Sequence, residues 1–160
     1  MAQTEQYVNM MIDSLRKKDS ILDKIIEQNE IQSEIAAQSE LDMDKFGKSV
    51  EDKQKLIDEL NVMDAGFQSL FDKIKVELNE KKTRYSGEIR QMQELIKSLS
   101  EKGIRIQAQE EKNRLSITAH FAKMKKEVKV AKKSMQVASD YYKSMSKTAY
   151  LDSQFMDKKK

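Results

Sequence analysis

ITAHFAKMKKEVKVAKKSMQVASDYYKSMSKTA, residues 117–149, decides how this chain folds. Ile117, Phe121, Met124, Val128, Ala131, Met135, Ala138, Tyr142, Met145 and Ala149 follow one another at alternating steps of four and three. That spacing keeps all ten on one face of an α-helix. Six lysines stand between Lys123 and Lys133 beside the stripe. A face this long and apolar does not stay bare in water. It packs on the rest of the chain, on a second copy, or on something the protein exists to hold.

The composition supports long helices. Proline is absent, glycine occurs four times, and charged residues make up 36% of the 160-residue chain, so little interrupts a helical hydrogen-bond ladder. With 38% apolar residues the chain is too hydrophobic for full disorder. One elongated all-α domain is expected. The lack of cysteine excludes disulfides and thiolate metal sites. The opening MAQTEQYVNMMIDSLRKKDS has no unbroken apolar core of the signal-peptide kind. No apolar run approaches the ~20 residues of a membrane span. The expectation is a soluble, cytoplasmic protein without membrane insertion. Charge is uneven: −6 over residues 1–60, +2 over 61–120 and +7 over 121–160. An acidic head and a basic tail can attract each other or divide partners between them.

A heptad template counted from Val8 through Leu99 finds apolar residues at 19 of its 27 seam positions, where chance would give about 10. The polar exceptions cluster. Asn29, Gln32 and Ser39 fall together, as do Lys81 and Glu88. Near the first cluster lies QSELDMDKF (38–46), where Asp42 suits a helix N-cap. Near the second lies NEKKTRYSGE (79–88), with Asn79 suited to a C-cap and Ser86 to an N-cap. These gaps predict three helices, near 4–37, 42–79 and 86–146, with a kink possible at Gly66. The architecture expected is an elongated antiparallel three-helix bundle, a helical hairpin plus a long C-terminal helix. A continuous rod forming a coiled-coil homodimer is the alternative, and the unchanged heptad phase across the first gap speaks for it. Clustered polar seam positions speak against it.

After Asn113 the steps to Ile117 and Phe121 are two fours in succession, a stutter that shifts the packing register. At 1.5 Å per residue the first two helices reach ~50–55 Å and an unbroken third ~90 Å. Roughly the last 25 residues of that helix would overhang the hairpin. An overhanging stripe suits a client helix, and Met124, Met135 and Met145 suit a surface that repacks around different helices. The competing reading is that the stripe is ordinary core.

Other features are less pointed. The run KMKKEVKVAKK (123–133) has no aromatic platform, Gly-rich loop or arginine cluster beside it, so a solvated face fits better than nucleic-acid binding. His120 is the only histidine and has no soft ligand to share a metal with. Phosphate-loop, nucleophile-elbow and metal-hydrolase signatures are absent. No catalytic residue, metal or cofactor is expected. Half of the ten aromatic residues follow residue 120. Tyr150, Leu151, Phe155 and Met156 form either a short docking motif or a flap across the end of the bundle.

Several segments resemble the FlgN-type flagellar export chaperones: ILDKIIEQNE (21–30), SELDMDKF (39–46), KQKLIDEL (53–60) and IQAQEEKNRL (106–115). The likeness covers most of residues 8–145. It departs at the single Asn113, where many members carry a pair, and in the tail YLDSQFMDKKK (150–160). The resemblance implies a chaperone domain over 1–149 and a separate tail over 150–160. It implies a non-enzymatic cytoplasmic chaperone of the flagellar type III export route. Such a protein binds the C-terminal helices of hook–filament junction proteins, prevents early assembly and delivers them to an export-gate component. The resemblance carries over this broad role and not the contact residues; the apolar stripe itself offers Met124, Val128, Ala131, Met135, Ala138, Tyr142 and Met145 to hold the client, and the aromatic tail offers Tyr150 and Phe155 to dock on the gate. The alternatives are a structural coiled-coil homodimer and a filament-cap type of flagellar chaperone.

Overall fold

The computed structural model describes residues 2–124, 133 and 135–145. Helix α1 spans Ala2–Ala36, α2 Met43–Glu80 and α3 Ser86–Lys123. A fourth helix, α4, covers 135–145. Among the described residues there is no strand.

The first turn forms where the sequence places it. Asp42 takes an extended backbone and its carboxylate accepts a hydrogen bond from the Lys45 amide at 3.1 Å. This satisfies one of the donors left open at a helix start. The second turn lies two residues beyond the expected cap: α2 continues through Asn79 and is capped at Lys81. Ser86 is the first residue of α3 rather than its cap, and Tyr85 precedes it without a side-chain cap. Gly66 lies inside α2, which runs on through it.

Cross-helix pairs fix the directions. Thr4 bonds Glu77, Lys18 pairs with Asp64, and Gln32 donates to Ser49 at 3.1 Å, so α1 and α2 run antiparallel. Asp19 receives Lys102 at 2.8 Å and the Asn29 carbonyl receives Asn113 at 2.9 Å, so α3 runs parallel to α1. His120 Nε2 lies 2.8 Å from the Ala36 carbonyl. Donation from that nitrogen satisfies the end of α1, whose last turn carries no basic residue.

The third helix is shorter than its stripe suggests. The expected helix to residue 146 is interrupted at Met124, whose backbone is extended at φ −120°, ψ 93°. At 38 residues α3 matches α2 and closely matches the 35 of α1. All three end level with one another, so α3 itself does not overhang the hairpin. Phe121 meets Phe46 edge-on at the α1–α2 tip, with ring centroids 6.0 Å apart. There Ile35, Ala36, Leu41, Ile117 and Met135 complete a small apolar cluster. A larger core runs from Val8, Leu22 and Ile25 through Ile57, Leu60, Met92 and Ile106 to Ala138, Tyr142 and Met145. Leu22 and Ile57 share this core, as a turn near 38–42 requires.

Candidate helix-binding groove

Helix α1 packs along both α2 and α3, whose backbones stay apart from each other and meet only through side chains such as Phe46 with Phe121 and Lys53 with Glu110. The trough left between them holds α4. Met135 and Ala138 line a gap with Val50, Lys53, Gln54 and Ile57 of α2 that is too small to admit water. Tyr141 donates to Asp64 on α2 at 3.0 Å. Facing α3, Met135 joins the cluster of Ile117 and Phe121. The hydrogen bond from Arg114 and, more weakly, the charge of Lys143 hold the Glu111 carboxyl below the usual carboxylate range. Helix α4 therefore runs parallel to α2 and antiparallel to α3, giving four helices in alternating directions.

The trough has a polar centre. Lys53 is 3% exposed and Glu110 1%. The Lys53 ammonium donates to both Glu110 oxygens at 2.7 and 2.9 Å, to Gln32 Oε1 at 2.9 Å and to Asn29 Oδ1 at 3.2 Å. Gln32 passes the chain to Ser49, whose hydroxyl donates to the Phe46 carbonyl at 2.7 Å. Asn29 donates to Gln109 at 3.2 Å and its carbonyl receives Asn113. Burial pushes the lysine below its ordinary range, and the Glu110 charge opposes that shift. A buried pair with this many partners fixes register more surely than it adds stability. This one ties α1, α2 and α3 together at the boundary between the two apolar clusters.

Tyr142, one turn on from Ala138, is fully buried, yet its hydroxyl finds no hydrogen-bond partner among the described residues. Burial, then the charge of Glu110, pushes its ionisation far above the normal tyrosine range.

Four of the seven residues expected to hold a client thus face inward: Met135, Ala138, Tyr142 and Met145 are each no more than 4% exposed. Met124 is half-buried against the tip cluster. Val128 and Ala131 lie outside the described residues, as do Tyr150 and Phe155. Along the described part of the stripe, Ile117, Phe121, Met135, Ala138, Tyr142 and Met145 are covered by the chain itself. Glu110, Asn29, Gln32 and Lys53 were not anticipated as a site. Asn29, Gln32 and Lys53 were visible as polar interruptions of the apolar seam, whereas Glu110 lies beyond the seam that ends at Leu99.

Among the described residues no three His, Asp or Glu side chains gather as a metal would require. No described helix is long and apolar enough to cross a membrane. The chain matches no family model, no curated protein and no solved structure.

Proposed function

We propose that this protein is a cytoplasmic chaperone of the flagellar type III export route. In this reading it holds the C-terminal helices of hook–filament junction proteins in the α2–α3 trough, in place of α4. The observation that carries the reading is that the trough already holds an amphipathic helix, one separated from α3 by the helix end at Met124. A site that holds one amphipathic helix accepts another whose apolar residues follow the same three-and-four spacing. The resemblance of residues 21–30, 39–46, 53–60 and 106–115 to FlgN-type chaperones supplies the identity of the client. Tyr150 and Phe155 would then dock on the export gate.

A disulfide tests the reading cleanly, because the chain has no native cysteine. Gln54→Cys and Ala138→Cys face one gap and should crosslink within a molecule under oxidation. The reduced variant should bind a junction-protein C-terminal peptide, and the oxidised one should not. Equal binding in both states would remove the trough as the client site. Crosslinks between molecules, with a concentration-dependent dimer, would point instead to α4 exchanged between two copies.

A further inference from the structure

The floor of the trough carries chemistry that α4 leaves unanswered. Besides Glu110 of α3, the Lys53 ammonium meets the side-chain amides of Asn29 and Gln32 on α1, and Gln109 and Asn113 of α3 bond in turn to Asn29. Helix α4, whose Ala138 sits against Lys53, carries one turn further on the buried Tyr142 hydroxyl, which bonds to none of the described residues. Both Glu110 oxygens accept from the one ammonium, and a carboxylate has room for further donors. A buried donor without an acceptor weakens whatever carries it. Helix α4 is therefore a correct fit in shape and a poor fit in polarity.

We infer that the trough selects an incoming helix with a side-chain amide, above all glutamine, at the place Tyr142 holds, a small residue four positions earlier, and larger apolar residues seven earlier and three later. This inference rests on the proposed exchange of α4 for a client helix. The small residue follows from Ala138, which sits against Lys53 and Ile57 in a gap that admits no water. The flanking apolar residues follow from Met135 and Met145, one in each apolar cluster. The amide follows from the hub. Its torsions let it turn an N–H group toward the carboxylate in a way that a rigid phenol cannot, and Glu110 keeps lone pairs free to accept it. Lysine or arginine would add a second cation to a pocket whose single carboxylate is already matched. Leucine would fill the space but leave Glu110 as it is. The partner class is thus an amphipathic helix with one amide set in its apolar stripe.

Two measurements test this. In the full chain, Tyr142→Gln and Tyr142→Leu should differ in amide-exchange protection of residues 135–145, with the glutamine variant about tenfold more protected. Leucine equal to or better than glutamine would overturn the inference. Synthetic peptides copying residues 131–149, with Gln or Leu at position 142, are then added to the unaltered chain. The glutamine peptide should displace α4 and bind about tenfold more tightly. Equal binding of the two peptides overturns the polar selection and leaves the trough as a client site. If neither peptide binds while Tyr142→Gln still protects α4, the exchange itself fails, and the proposed function and this inference fall together.

Discussion

Removing the ammonium of Lys53 should be among the most damaging single changes in the chain. Lys53→Met leaves a carboxylate that is 1% exposed without a counter-charge, and removes hydrogen bonds from Asn29 and Gln32. Breaking one side of a buried pair destabilises by about 3–5 kcal/mol, a large share of the ~5–15 kcal/mol that holds a domain together. The melting temperature should fall by roughly 6–20 °C. Glu110→Gln should fall between wild type and this variant, because burial already weakens the hold of Lys53 on its proton and the lysine can shed it. Lys53→Met combined with Glu110→Gln should recover much of the loss, since no charge then remains buried. Urea unfolding of the four proteins gives the coupling directly, expected at about 2 kcal/mol or more. Additive losses, or a Lys53→Met cost below about 1 kcal/mol, would mean that the hub does not organise the bundle.

Two further outcomes concern α4. Tyr141 and Tyr142 both ionise well above the normal tyrosine value of 10.0, chiefly through burial and then through the charges of Asp64 and Glu110. Below pH 10 both the docked and the released forms are protonated, so docking keeps its full strength. Above it only the released form loses protons, and docking weakens by up to about 1.4 kcal/mol per pH unit for Tyr142, and by less for the partly exposed Tyr141. Tyrosinate absorbance and helicity followed together should show late ionisation coupled to helix loss, with a shallower slope in Tyr142→Phe. The triple change Met135→Asp, Tyr142→Asp and Met145→Asp should undock α4, lower helicity and lower the melting temperature, because each residue is core. Unchanged melting would show that α4 contributes nothing to the bundle.

Much of the hairpin was written in the residues that broke the heptad pattern. Lys18 and Asp64 are both polar seam positions and they pair with each other. So are Asn29 and Lys53. Each pair is centred on residue 41, and Gln32 with Ser49 and Thr4 with Glu77 are centred half a step away. Polar residues equidistant from one point are what an antiparallel hairpin needs and what a parallel rod, which sets each residue against its own copy, would have to bury unpaired. Reading Asn29 and Gln32 as signs of a nearby turn reached the right architecture for an incomplete reason. Only Ser39 lies in the turn, and the other two point inward to Lys53.

The end of α3 was not legible in the same way. FAKMKKEV, residues 121–128, contains neither proline nor glycine, and the three-and-four spacing passes through it without a fault. Local propensity would carry the helix onward. What ends it is global. At Lys123 the helix has drawn level with the α1–α2 tip, and a further straight turn would carry apolar residues into water. Reversal instead places Met135 beside Phe121 and sends Ala138, Tyr142 and Met145 back down the trough. A periodic stripe states which face is to be covered, and it is indifferent to whether the covering surface is met by going forward or by turning back. The deciding quantity is the length of the partner helices, which no residue within the stripe encodes. That indifference is also what the proposed function requires, because a face that its own bundle and a foreign helix can satisfy by the same spacing is a face over which the two can compete.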